Sequence, residues 1–258
     1  MILDQDSIFK SQHDHMVEFN RDEVAYTLHV DNSIRSACAN KSKLGPELTH
    51  DSVLLAGDNT EEKLIGFSGY QFRHFLNNLC DLQNANYLEV GTYQGSTLIS
   101  AVAGNEDVLD NVYAIDNFSE FDSAGETEKI FRNNLAKFLR NDGSKVQFFN
   151  EDCFGFDVDE LEPIDIFFYD GDHSEECQRK AFEYFEPAFA DVFIAVIDDW
   201  EQAPVRRGTR AALESIGFEI VSSRAIVPAE RPSPFENPSP QWWNGTHVAV
   251  LRRTLSEV

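Results

Sequence analysis

Asn86-Tyr87-Leu88-Glu89-Val90-Gly91-Thr92-Tyr93-Gln94-Gly95-Ser96 is the stretch on which the reading of this chain turns. A short apolar run enters a turn carrying two glycines, and Ser96 to Ala103 then follows a helical pattern that Gly104 stops. A strand that passes through a glycine turn into a helix is the opening unit of an α/β sheet. The alternation continues downstream. Val112 to Asp116 predicts a second strand, and a helix follows with Ile130, Phe131, Leu135, Phe138 and Leu139 on its apolar face. Val146 to Phe149 and Ile164 to Asp170 predict the next two strands. Ser174 opens a helix with Glu175 and Glu176 in its first turn, where the helix dipole favours anions. Val192 to Ile197 is a fifth strand, followed by a helix from about Val205 to Ile216; Phe218 to Ser222 and Thr246 to Leu251 close the series.

Near-continuous apolar strands separated by helices predict an α/β fold, a Rossmann-like, mostly parallel seven-stranded sheet with helices on both faces. Residues 84–258 form this domain, including a loop at 228–243 with five prolines and Trp242-Trp243, of a length often seen in lids. Residues 1–83 read as an N-terminal helical or lid extension. They are polar apart from one helical pattern, Phe67, Tyr70, Phe72, Phe75, Leu76 and Leu79, suited to packing on the downstream domain. His13-Asp14-His15 reads as a solvated stretch, since metal sites need ligands fixed by packing.

Charge narrows the function. Against 45 Asp and Glu stand 21 Lys and Arg, a net charge of −24 over 258 residues. Such a surface repels phosphate backbones and anionic lipids, which argues against nucleic-acid and membrane partners. The N-terminus lacks the basic-then-apolar build of a signal peptide, and Cys38, Cys80, Cys153 and Cys177 form no C-x-x-C pair. A cytoplasmic protein with reduced thiols is expected.

In an open parallel sheet ligands bind beyond the carboxyl ends of the strands. Those ends carry Gly91 to Ser96, Asp116-Asn117, Asn150 to Cys153, Asp170-Gly171-Asp172-His173 and Asp198-Asp199-Trp200. A run of acids at successive strand ends predicts a binding crevice. Tyr93 stands where a dinucleotide fingerprint needs its second glycine, which disfavours NAD or FAD and an oxidoreductase.

Glu89-x-Gly91-x-x-x-Gly95, Asp116 and Asp152-Cys153 in that order resemble the motifs of class I S-adenosylmethionine-dependent methyltransferases. With Asp170-Gly171-Asp172-His173 and Ile197-Asp198-Asp199-Trp200, the chain over about 86–222 looks like the metal-dependent small-molecule O-methyltransferases. It is most similar to the bacterial branch of macrocin and mycinamicin O-methyltransferases and cephalosporin-hydroxylase-like proteins. The resemblance implies a cofactor site of Glu89, Gly91, Thr92, Tyr93, Gly95, Ser96, Asp116, Asn117, Asp152, Cys153 and Asp170, with Asp116 on the ribose hydroxyls and Asp152-Cys153 at the adenine. It implies Mg2+ or Mn2+ on Asp170, Asp198 and Asp199, and His173 as general base toward a hydroxyl of a small metabolite, a sugar or natural product favoured. Asp198-Asp199 departs from the Asp-Asn of catechol-type enzymes. A metal-independent methyltransferase using His173 alone is the alternative. By family analogy the chain assembles as a homo-oligomer, a dimer or larger. Arg206, Arg207 and Arg210, close behind the acidic pair, either face an anionic group of the acceptor or form a salt-bridged helix face.

Overall fold

The computed structural model describes residues 2–4, 21–49, 63–122, 125–228, 239 and 241–254. His13-Asp14-His15 and most of the Pro-rich loop lie outside these residues. The strands are β1 (Ile2–Asp4), β2 (Asn86–Val90), β3 (Asn111–Ile115), β4 (Val146–Phe149), β5 (Ile164–Tyr169), β6 (Phe189–Ile197), β7 (Phe218–Val227) and β8 (Thr246–Arg253). The helices are α1 (Arg21–Cys38), α2 (Tyr70–Leu79), α3 (Ser96–Val102), α4 (Thr127–Phe138), α5 (Glu175–Phe185) and α6 (Ala203–Ser215).

One sheet runs in the order β1-β7-β8-β6-β5-β2-β3-β4. The five strands from β4 to β6 are mutually parallel, and β8 and β7 close the other side antiparallel. The seven expected strands are all present. β1, an antiparallel three-residue strand on the edge of β7, was not foreseen.

The two faces bury separate clusters. One is built from α1 to α4, with Val30, Ile34, Phe72, Phe75, Leu76, Leu98 and Phe131 against Tyr87, Ala114, Phe168 and Val196. The other packs α5 and α6, through Phe182, Phe185, Val205 and Ala212, onto Phe167, Phe193 and Ala249. The alternation of sides along each strand is what splits β5, with Phe167 on one face and Phe168 on the other. Within the N-terminal segment, α1 and α2 are part of the first core. Buried Arg73 of α2 ties the chain before that helix down, donating to the carbonyl oxygens of Leu48 and Leu64 and to Ser68 Oγ at 2.8–3.1 Å.

Register sets the site. Val90 pairs with Ile115 and Tyr169, Ile115 with Phe149, and Tyr169 with Ile197. The residues after these ends, Gly91, Asp116, Asn150, Asp170 and Asp198, therefore lie along one edge. β2 sits where the chain order reverses, with β3 on one side and β5 on the other, which opens the crevice there.

Candidate active site

The glycine turn crosses the end of β5 so closely that side chains are excluded. Gly91 has φ +87°, and a Cβ there would stand 2.2 Å from the Asp170 carbonyl oxygen. Tyr93 adopts a left-handed conformation, φ +47°, that only glycine takes without cost, a strain found where function holds a loop in place. Asp116 holds it. Its Oδ2 accepts from the Tyr93 N–H at 2.7 Å, and its Oδ1 accepts from the Phe118 N–H at 2.7 Å.

Glu89 lies beneath the turn. It is fully buried and does not line the cavity; Tyr87 Oη and Thr97 Oγ1 each donate to it at 2.6 Å. Burial raises its pKa to about 8 against the opposing pull of those hydrogen bonds, so at neutral pH it is a largely protonated link between β2 and α3. Glu89, expected among the cofactor-binding residues, stands behind the cavity wall rather than in it. Gly95, φ +84°, also stays out of the cavity wall and caps α3.

A cavity of about 740 Å³ opens along the strand ends. Gly91, Thr92, Tyr93, Ser96, Asp116, Asn117, Asp152, Cys153, Asp170, His173, Asp198 and Asp199 all line it. At one end Asp152 Oδ1 accepts from the Phe154 N–H at 2.9 Å, closing a turn around Cys153. Burial, with the Asp152 charge, pushes that thiol up to about 12, so it stays a thiol.

At the other end the acids converge. His173, on the corner where Ser174 caps α5, stands between two of them, with Nε2 3.3 Å from Asp170 Oδ1 and Nδ1 3.3 Å from Asp199 Oδ2. Burial works to lower its pKa, but the hydrogen bond to Asp170 and the charges of Asp170, Asp199 and Asp172 outweigh it and hold it at about 9. Asp170 and Asp198 are both pushed above the usual carboxylate range, first by burial and then by neighbouring carboxylates. Asp199 has φ +51°, and Gln202 Nε2 donates to its Oδ2 at 2.6 Å.

Asp198 Oδ1 and Asp199 Oδ1 are buried with no hydrogen-bond partner among the described residues. Buried carboxylate oxygens of this kind fit a cation ligand set, and an all-oxygen donor set of three carboxylates suits a hard divalent ion. Among the described residues, however, no three His, Cys, Asp or Glu side chains stand together in metal-holding geometry. The bridging imidazole occupies the space between two of the expected ligands.

The arginines behind the pair do not face the cavity. Arg207 Nε donates to Glu175 Oε2 at 2.5 Å, and Arg206 donates to the Trp200 carbonyl oxygen at 2.6 Å. None of the three lines the cavity; among the described residues only Arg207 of the three is in a salt bridge, and Arg210 Nε is buried without a partner. Conversely, Phe67, Phe121, Trp243 and Asn244 line it and were not foreseen as site residues.

Residues 88–200 match the family Methyltransf_24, described as a methyltransferase domain. No curated protein matches the sequence significantly. The fold is similar to that of the O-methyltransferase TomG from Streptomyces achromogenes, solved with S-adenosylmethionine (14% identity, TM-score 0.54, covering 92% of this chain and 100% of that one). It is also similar to cofactor-bound Rv0187 from MTB (15%, 0.52, 93% of each chain) and to the O-methyltransferase from Bacillus cereus with SAH (18%, 0.50, 87% and 91%). Among the described residues, no helix is long and apolar enough to cross a membrane.

Proposed function

We propose that this chain is an S-adenosylmethionine-dependent O-methyltransferase acting on a hydroxyl of a small molecule, assisted by Mg2+ or Mn2+. One observation carries the reading. The glycine turn, Asp116, Asp152-Cys153 and the Asp170, His173, Asp198, Asp199 group share a single cavity along the strand ends. The match over residues 88–200 supports the same reading.

The cofactor supplies an electrophilic methyl group on a sulfonium that carries no phosphate. Gly91 lets the backbone pass close beneath it, and the Asp116 carboxylate has the lone pairs to accept from vicinal ribose hydroxyls. A divalent ion on Asp170, Asp198 and Asp199 would supply positive charge that lowers the acceptor hydroxyl's pKa. His173 would take the proton from the acceptor hydroxyl, whose oxygen would form the new bond to the methyl carbon, while the sulfonium sulfur would keep the electron pair of the broken bond. Held by two carboxylates, His173 carries a proton at neutral pH; it becomes a base only when Asp170 and Asp199 are engaged elsewhere.

That same bridge favours one other reading. If His173 permanently neutralises Asp170 and Asp199, the enzyme is metal-independent. Calorimetry with S-adenosylhomocysteine and with NAD, with and without Mg2+, tests the proposal. S-adenosylhomocysteine binding and a separate Mg2+ response are expected. NAD binding in its place would overturn it, and cofactor binding with no Mg2+ response would leave the metal-independent form.

A further inference from the structure

We infer that Arg73 is a positioning residue for the cofactor: from behind the cavity wall it holds residues 64–69 so that Phe67 seats on Tyr93 and fixes the glycine turn. This rests on the methyltransferase reading above and deepens it, naming a residue outside the cavity that sets cofactor affinity. Arg73 lies on α2, fully buried, and does not line the cavity. Its Nε donates to Ser68 Oγ at 2.8 Å. Its other nitrogens donate to the carbonyl oxygens of Leu48 at 3.1 Å, Leu64 at 2.9 Å and Gly66 at 3.5 Å. Every one of these acceptors is a neutral oxygen, and all but that of Leu48 belong to the segment leading into α2. Burial lowers the Arg73 pKa only to about 10, so the cation persists at neutral pH. A cation buried on neutral oxygens is costly, and an apolar residue would pack this helix face more favourably. An apolar residue cannot orient several oxygens at once, for which a planar fork of five N–H groups is suited.

The segment so held is pressed against two neighbours. A Cβ on Gly66 would stand 2.1 Å from Oγ of Ser96, the first residue of α3, and one on Gly69 would stand 2.2 Å from the Gln241 carbonyl oxygen. That carbonyl also accepts from the N–H groups of Gln71 and Phe72, at 3.0 and 3.1 Å, which locks the start of α2 to the turn before Trp242. Between these two contacts Phe67 reaches the cavity wall and stacks on Tyr93, with ring centres 5.3 Å apart and planes 23° from parallel.

Tyr93 is where the hold matters. Its left-handed φ of +47° persists only where the surroundings over-determine it. Asp116 fixes the backbone by accepting from the Tyr93 N–H, while Phe67 stacks on the ring and Phe121 sits T-shaped to it. Thr92, Tyr93 and Ser96 all line the part of the wall proposed for the cofactor. Without Arg73 the stacking partner is no longer fixed, and the strained turn populates relaxed conformations. The cofactor must then reorder the turn as it binds, which lowers its apparent affinity by the fraction of chains that are still competent.

Calorimetry with S-adenosylhomocysteine on the full chain, paired with hydrogen exchange, tests the role. Arg73→Met should weaken S-adenosylhomocysteine about five- to ten-fold and lower the protection of the Tyr93 amide. Amides of the central strands, such as that of Phe168 on β5, should keep theirs. Arg73→Lys, which keeps the charge and offers three donors, should recover part of both losses. Phe67→Ala, at a half-exposed position, should weaken binding about three-fold, and added to Arg73→Met it should change little, because both act through one stacked pair. Thermal unfolding checks that each variant folds. If Arg73→Met does not, Arg73→Lys and Phe67→Ala decide, and each must weaken S-adenosylhomocysteine. Unchanged affinity in the arginine variants, full additivity with Phe67→Ala, or protection lost evenly across the sheet would overturn the role. Failure of the wild type to bind S-adenosylhomocysteine would strike the methyltransferase reading itself, and this inference with it. Wild-type binding that the variants leave intact strikes this inference alone.

Discussion

Nδ1 of His173 lies 3.3 Å from Oδ2 of Asp199, at the point where a catalytic base and a metal ligand were expected to act separately. With Nε2 equally close to Asp170, the imidazole works as an internal counter-cation for two strand-end acids. All three residues sit at strand ends that the apolar runs mark out in the sequence. Their mutual contact follows from the α5 cap and the register of β5 against β6, which only the folded chain reveals.

The contact fixes a sign. His173 has its folded pKa raised from 6.5 to about 9, so its proton stabilises the fold fully below the unfolded value and that stabilisation is lost as pH rises through about 9. Denaturant unfolding of the metal-free protein should show a decline in stability between pH 6.5 and 9 that His173→Ala removes. NMR titration of the ring should give an apparent pKa near 9 without metal and a lower one with Mg2+. A midpoint near 6.5 in the metal-free protein would mean that the bridge is absent in solution.

Crowding among the acids has a measurable cost. Asp198 is 4% exposed, pushed up by burial and by Asp170 and Asp199, and its Oδ1 has no partner. Asp198→Asn keeps the shape and removes the charge, so it should stabilise the metal-free protein by about 1–2 kcal/mol. On the proposed metal-assisted reading, the same change should abolish the stabilisation by Mg2+ expected of the wild type, about 2–3 kcal/mol when the ion is at about a hundred times its Kd. A destabilised metal-free variant would show that the acid is satisfied as it stands.

Asp116 serves the turn and, on the proposed reading, the ribose. Asp116→Ala should weaken S-adenosylhomocysteine by about 1.5–3 kcal/mol through the lost charge-assisted bond. It also frees the Tyr93 and Phe118 N–H groups that Asp116 accepts from. Protection of the Tyr93 amide against hydrogen exchange should therefore fall even without cofactor. Unchanged affinity by calorimetry would take Asp116 out of the cofactor site.

How much of this was legible depended on periodicity. Apolar runs such as Val192 to Ile197 and the glycine turn carry strong local signals, and each formed the expected element within a few residues. α1 did not announce itself. Its buried residues Val30, Ile34 and Ala37 follow helical spacing, but they are diluted among Asp, Asn, Ser and Arg in a helix of low mean hydropathy. Phe67 fits the apolar spacing of α2, whereas it lies before the helix and half exposed over the cavity. A single loop aromatic has no period to betray it; its role comes from which other loops arrive beside it. Asn244 is the same case, placed by the Glu201 N–H that donates to its carbonyl and the Trp200 N–H that donates to that of Gly245, far away in sequence.

Two buried groups titrate against the fold from opposite ends of the pH scale. His247 on β8 is 1% exposed, stacks on Trp200 with ring centres 4.2 Å apart, and neither ring nitrogen has a partner. Burial, aided by the Arg210 charge, lowers its pKa to about 3. Glu89, raised to about 8 by burial, is the converse. Below pH 6.5 the unfolded chain protonates His247 and the folded chain does not, so its contribution is present above 6.5 and lost as pH falls toward 3. Between 4.5 and 8 the folded chain keeps the Glu89 proton and the unfolded chain releases it, so that contribution is lost as pH rises through about 8. From 4.5 to 6.5 the two slopes oppose each other, and stability should be nearly flat with respect to this pair. His247→Phe should hold the stack on Trp200 and gain about 2 kcal/mol at about pH 5, with much less change at about pH 7. Glu89→Gln should do the reverse, gaining most near pH 8 and least near pH 4.5. Chemical denaturation of both variants at about pH 5 and about pH 8 checks the pair. Equal gains at the two pH values would show that loss of bulk or hydrogen bonding, rather than proton linkage, sets their effect.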